Sequence, residues 1–188
     1  MPTLQAGEPQ RKVWTREEAA RLTDLFPGQR YELIEGELID KMGQKPPHAY
    51  LIALLTTLLS HAFANRVRVQ LPISLPDPEG ITSEPEPDLV VLKSSSADYM
   101  QRHPGPQDIV LLIEVSDTTL QFDRDTKARL YARSGIKNYG IVDIPQRRLI
   151  SLQEPGGDEY KMVRIFQIED VADLGVISVD VKDLFTVA

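Results

Sequence analysis

Cysteine is absent from this chain of 188 residues, which rules out disulfides and thiolate metal sites and fits a reducing compartment. Tryptophan occurs once, at Trp14, and aromatic residues make up only 6% of the sequence. With so few rings, no aromatic sugar platform accompanies the acidic residues, which disfavours a carboxylate-pair hydrolase acting on glycosides. A basic excess is also missing: 21 Lys and Arg face 28 Asp and Glu, for a net charge of -7. Proteins that hold nucleic acid draw much of their affinity from cations that neutralise phosphates, so any basic surface here must be local. Three pairs are candidates for it: Arg66 with Arg68, Lys93 with Arg102, and Arg147 with Arg148. Long hydrophobic runs are lacking as well. The N-terminal MPTLQAGEPQRKVW has no apolar signal core, and the stretch from Tyr50 to Ala64 is broken by Thr56, Thr57, Ser60 and His61. That stretch reads as a packed helix, and the expectation is a cytoplasmic protein with no membrane partner.

What the chain contains is an ordinary globular composition, 41% hydrophobic and 26% charged. One domain over residues 1–188 is expected, with 1–13 as a loose arm. Thr15 and Glu18 form a capping box for a first helix, which Pro27 and Gly28 end. YELIEGELID reads as two short strands around Gly36. A second helix opens at His48, with Leu51, Leu55, Leu58, Leu59 and Ala62 on its buried face. The strand VRVQLPIS and the proline-rich, acidic LPDPEGITSEPEP follow, the latter expected as an exposed loop. LVVL then reads as a buried strand, SSSADYMQR as a small polar helix, and IVLLIEVS as a central strand covered on both faces. In that strand Glu114, Leu112 and Val110 should share one face and Ile113, Leu111 and Ile109 the other. A helix over 123–133 ends at Gly135, YGIVD is another buried strand, and RRLISLQ and YKMVRIF form a hairpin across EPGGDE. Helices before and after a strand cluster predict an α/β fold with a mixed central β-sheet flanked by helices.

Three ionisable residues stand in apolar surroundings: Asp88 in PEPDLVVL, Glu114 in IVLLIEVS and Lys127 in DTKARLY. A buried carboxylate is costly unless a cation or hydrogen-bond donor satisfies it. Two strand-borne carboxylates with a lysine near them are the parts of a metal-dependent site that cleaves phosphodiesters, with Asp88 and Glu114 as ligands of Mg²⁺ or Mn²⁺. Lys127 would position the attacking water or offset charge on the phosphoryl oxygens. Each residue also has a plainer reading: Asp88 as a turn cap, Lys127 as the i+4 partner of Asp123, and His48 as a satisfied core histidine. Glu32, Glu35 and Glu37 are three acids in one strand pair, of which one could complete the site.

The ordered set YELIEGELI, His48 at a helix start, PEPDLVVL, LLIEVSDTT, Asp123 to Lys127 and YARSGIKNYGIVD resembles the Uma2 family (DUF820), from about Tyr31 to Asp143 and more weakly beyond. The resemblance implies the PD-(D/E)XK nuclease superfamily and its restriction-endonuclease-like core, a four-stranded mixed sheet flanked by helices. It implies that Asp88 and Glu114 are the motif acids. The lysine usually two residues after the second acid is replaced here by Ser116, and Lys127 on the next helix takes its part. Glu37, or Glu32, matches the N-terminal acid, and His48 the family's histidine. The activity implied is a divalent-metal-dependent endonuclease acting on DNA, with homodimerisation as the expected assembly. The rival expectation is a nuclease-fold module that binds nucleic acid or a protein without turnover, in keeping with the acidic net charge.

Overall fold

The computed structural model describes residues 11–25, 28–41, 43 and 45–186. Most of the expected arm, residues 1–10, and the expected helix stop at Pro27 lie outside the described residues. Helix α1 (Arg16–Leu25) begins at the capping box, with the Thr15 N–H donating to Glu18 Oε2 at 3.0 Å and the Glu18 N–H to Thr15 Oγ1 at 3.3 Å. Strands β1 (Tyr31–Ile34) and β2 (Glu37–Asp40) form a separate hairpin. Its two turn residues, Glu35 and Gly36, both have positive φ, 49° and 82°, the geometry of a tight two-residue turn. A Cβ at Gly36 would lie 2.4 Å from Val13 Cγ1, so the chain before α1 is seated on this turn.

Helix α2 (Pro46–Phe63) starts two residues before His48, because prolines fit the first helical turn, where no N–H is needed. Its residues Leu51, Ile52, Leu55 and Leu59 are buried against the sheet. By length and composition α2 is apolar enough to cross a bilayer, yet this face is built into the core. Ala62, expected on the buried face, is exposed where the helix reaches the edge of the sheet.

The central sheet has six strands in the order β3 (Val67–Val69), β4 (Leu89–Leu92), β5 (Ile109–Ser116), β6 (Asn138–Asp143), β7 (Arg148–Gly156) and β8 (Glu159–Phe166). Only β5 and β6 run parallel. A parallel neighbour requires a crossover, and it is made by the π-helical segment Phe122–Lys127 running into α4 (Ala128–Arg133). The sheet divides the core in two. On one face Leu130 and Tyr131 of α4 pack on Leu112, Tyr139, Ile141 and Ile150; on the other α2 packs on Leu89, Leu111, Ile113 and Val142. A second small hairpin, β9 (Val171–Asp173) and β10 (Ser178–Asp180), with helix α5 (Val181–Phe185), extends the α2 side. These C-terminal elements are too short to show a period in sequence.

Several boundaries differ from expectation. In LPDPEGITSEPEP a one-turn helix α3 (Glu79–Thr82) forms, and Ser83, Pro85, Glu86 and Pro87 are buried, so this is an exposed loop only in its first part. Its burial follows from pairing: Leu33 and Glu84 form a β-bridge that ties it to the β1–β2 hairpin. The strand expected over VRVQLPIS stops at Val69, since Gln70 takes positive φ. The polar helix is a single 3₁₀ turn, Ser96–Tyr99. Alternation in β5 holds from Leu111 onward but inverts at Val110 and Ile109. A bulge there pairs Leu92 with Ile109 and Val91 with Leu111, leaving Val110 unopposed.

Leu55 is fully buried between α2 and the sheet. Leu55→Ala should therefore lower unfolding stability by about 2–5 kcal/mol in urea titration, whereas a lipid-facing α2 would leave stability in water nearly unchanged.

Candidate active site

The register of the central strands brings the buried acids together. Leu89 pairs with Ile113, so Asp88 and Glu114 lie side by side at one end of the β4–β5 pair. The Asp88 N–H donates to Glu114 Oε2 at 3.2 Å, and the Val115 N–H donates to Asp88 Oδ2 at 2.9 Å. Lys127 reaches the same point from the π-helical segment, its Nζ 2.9 Å from Glu114 Oε1. The hairpin contributes Glu32, whose Oε1 lies 3.0 Å from the same ammonium. Tyr131, one turn further along the helix, donates its hydroxyl to Glu114 Oε1 at 2.9 Å. Glu32, Asp88, Glu114, Asp123 and Lys127 are each no more than 6% exposed.

His48 comes from the first turns of α2, and its Nε2 lies 3.2 Å from Asp88 Oδ2. The Gln70 amide donates to the other Asp88 oxygen at 3.2 Å. Asp123 accepts hydrogen bonds from Ser116 Oγ at 2.6 Å and Thr119 Oγ1 at 2.7 Å, with its free oxygen 3.9 Å from Lys127 Nζ. Asp88, Glu114, Lys127, His48 and Glu32 all line one cavity of about 560 Å³, open on one side to solvent.

Glu37 is not brought to this group. It is exposed at the start of β2 and faces Arg11 at 3.5 Å. Strand parity does not separate them, since Ile34 pairs with Glu37 and Glu32 with Ile39, so both acids lie on one face of the hairpin; the difference is position along it, Glu32 being buried within β1 and Glu37 exposed next to the turn at Glu35 and Gly36. Glu35 instead pairs with Arg133, which also reaches Glu79 and Asp158 and so ties the hairpin turn to α4. The basic pairs proposed from sequence stand elsewhere: Arg102 is bound to Asp108 and Arg148 to Asp143. The cations of the cavity are Arg30, Lys41, Lys45 and Lys127. Asp123 and Tyr131 were missed as site residues, although their spacing of four residues on either side of Lys127 was a readable signal for one helical face.

Electrostatics follow from this crowding. Burial pushes the Glu114 carboxyl up to about 8; Lys127 opposes the shift, and the nearby Asp88, Asp123 and Glu32 add to it. Burial works against the Lys127 ammonium, but Glu114, Glu32 and Asp123 outweigh it and hold its pKa above the ordinary lysine value. Burial likewise disfavours the Asp88 carboxylate, but the hydrogen bond and charge of His48 and the Val115 N–H prevail and lower its pKa. The same Asp88 hydrogen bond, against burial, raises His48.

Six acids, Glu32, Asp40, Asp88, Glu114, Asp117 and Asp123, line the cavity with only four permanent cations. Such a surplus of hard oxygen donors suits a divalent cation. Among the described residues, no three acid or histidine side chains are set together as a ready cation cage. The donor set accordingly fits an ion held by two carboxylates, Asp88 and Glu114, with water and substrate oxygen completing the shell, as Mg²⁺ is commonly held.

A larger open groove of about 960 Å³ lies beside this cavity along the outer side of the π-helical segment. It carries Arg124 and Arg129 but also Asp125, Asp158 and Glu159, so its charge is mixed.

A carboxyl raised in the folded state makes the fold bind a proton that the unfolded chain has released. The stability that Glu114 contributes is therefore full below its unfolded pKa of about 4.5 and is lost as pH rises through about 8. Wild type should lose stability relative to Glu114→Gln between pH 5 and 8, as measured by urea unfolding at each pH. Parallel curves for the two proteins would refute the raised value.

The sequence matches the family Uma2, described as "Putative restriction endonuclease", over residues 16–182. Among curated proteins, none matches this chain. Among solved structures, the chain is similar to one titled as a putative nuclease belonging to DUF820 from Anabaena variabilis, with a TM-score of 0.69 and 15% identity. That likeness covers 92% of this chain and 97% of the other, and at such identity it speaks for the fold alone. The mixed sheet flanked by helices is thus a nuclease-type fold, and with the family match spanning most of its length, the chain belongs to the Uma2 family.

Proposed function

We propose that this protein is a divalent-metal-dependent endonuclease that hydrolyses phosphodiester bonds of DNA. The observation that supports it most is the meeting of Asp88, Glu114 and a charged Lys127 on one cavity wall, each from a different element. Asp88 and Glu114 would hold Mg²⁺ or Mn²⁺. Bound there, the ion would supply Lewis acidity toward a phosphoryl oxygen and lower the pKa of a water.

The chain's own groups divide the remaining work. Lys127 keeps its proton at neutral pH, so it serves as a fixed positive charge toward the phosphoryl oxygens and not as a base. Glu32, like Glu114, holds that ammonium and restricts where it can lie. His48 orients Asp88, as the Val115 N–H does from the strand. Lys41 and Lys45 line the cavity and are suited to flanking phosphates, which would draw Lys45 from Asp117, 2.9 Å away. The negative charge of the chain as a whole and the few cations at the cavity limit affinity for DNA, and with few phosphates neutralised the loss of binding with salt should be shallow. A homodimer presenting one cavity to each strand, in the cytoplasm, belongs to the same proposal.

A module that binds without turnover is the competing reading. Its support is that both Glu114 oxygens and both Asp88 oxygens are already hydrogen-bonded within the chain.

Incubation of purified protein with supercoiled and linear DNA in Mg²⁺ or Mn²⁺ separates the two. Nicking that EDTA abolishes is expected, with Asp88→Ala and Glu114→Ala inactive and Lys127→Ala slowed by about 10²–10³-fold. DNA left intact by wild type under both metals, or cut equally by the three variants, would overturn the nuclease reading.

A further inference from the structure

The π-helical segment and Asp123 are so far without a task. A π turn holds one more residue than an α turn, so residues beyond it face a direction changed by about 100°. Such turns are rare, occur mostly as single turns within α-helices and are frequent at functional sites. Here Asp123 makes contacts at both ends of the turn. Its N–H donates to the Thr119 carbonyl at 2.9 Å. Its carbonyl accepts the Ala128 N–H, five residues on, and the Tyr139 hydroxyl at 3.0 Å. Its carboxylate is buried and takes two hydroxyl donors, Ser116 at 2.6 Å and Thr119 at 2.7 Å.

Ser116 is the pivotal partner. It lies in β5 two residues beyond Glu114, on the same side of the strand, and it is fully buried. The hydrogen bond from Ser116 to Asp123 therefore fastens the π segment directly to the strand that carries Glu114. Lys127 follows Asp123 by four residues and ends between Glu32 and Glu114. With one oxygen saturated by hydroxyls and the other 3.9 Å from Lys127, Asp123 is placed to hold the lysine and not to ligate an ion.

We infer that Asp123, anchored by Ser116 and Thr119, is a positioning residue that fixes the π turn and so aims the Lys127 ammonium into the cavity. It acts through Lys127 and does not touch substrate. The inference rests on the reading of Lys127 as part of a cleavage site.

The test combines kinetics with a structure. Cleavage by wild type, Asp123→Asn, Ser116→Ala, Lys127→Met and the double variant Asp123→Asn with Lys127→Met is measured in Mg²⁺ or Mn²⁺, with melting curves to confirm folding. Asp123→Asn and Ser116→Ala should lower kcat by about 10–100-fold with KM unchanged. In the Lys127→Met background Asp123→Asn should change the rate by less than about two-fold, because a residue acting only through Lys127 has nothing left to position. A crystal structure of Asp123→Asn should show the Lys127 amine displaced from Glu32 or Glu114. Wild-type kcat in Asp123→Asn, or an equal fractional loss with and without Lys127, would overturn the inference. Should wild type cut no DNA, the nuclease reading falls by itself, and the crystal structure then decides: an amine still bonded to both Glu32 and Glu114 in Asp123→Asn overturns positioning. If Asp123→Asn fails to fold, Ser116→Ala, which removes one hydroxyl at the same joint, carries the same kinetic and structural criteria.

Discussion

The buried ammonium of Lys127, shared by Glu32 and Glu114, is the constraint on which the rest of the structure depends. Each of these charges is nearly inaccessible to water, and an unpaired charge in such a place costs several kcal/mol. The three come from a hairpin, a central strand and a crossover helix. None of those elements can shift by itself without stranding a charge, so the ion network couples their positions. The hydrophobic layers on both faces of the sheet hold the elements near one another, and the charges decide their relative placement.

That arrangement also leaves the site with more carboxylates than cations. Lys127 and His48 do not balance the carboxylates that converge around them, and the high affinity of Glu114 for a proton comes first from its burial and then from these neighbouring carboxylates. A proton on Glu114 relieves the crowding up to about pH 8. In the proposed site a divalent cation would take that proton's place, keeping Glu114 ionised and leaving Lys127 charged. In a chain with a net charge of -7, the cavity still gathers four permanent cations, Arg30, Lys41, Lys45 and Lys127.

Much of this was legible in the residues. Asp88, Glu114 and Lys127 stood out because charge within apolar runs has few inexpensive explanations, and the mixed sheet followed from strands alternating with helices. The Thr15 capping box and the Gly135 stop are local rules, and both hold, the latter with φ of 82°. Choosing among Glu32, Glu35 and Glu37 was beyond local reading. Glu32 and Glu37 lie on one face of the hairpin and Glu35 in its turn, so alternation alone does not say which of them reaches the sheet. The bridge between Leu33 and Glu84 decides it, by pinning the hairpin to a distant segment. The inverted alternation at Val110 has the same character, since a bulge is a property of two paired strands.

By itself, then, the sequence determined which side chains had to be satisfied: two strand carboxylates, a helical lysine and a histidine at a helix start. Burial cost depends on residue type and its immediate neighbours, and both are written along the chain. Tertiary structure alone decided who satisfies them. Glu32 and not Glu37 faces Lys127, Tyr131 caps Glu114, and Ser116 grips Asp123 across the crossover. Those pairings depend on register, on a π turn and on the packing angle of one helix over a sheet. Each of these is set by contacts between residues far apart in the chain, which no local pattern encodes.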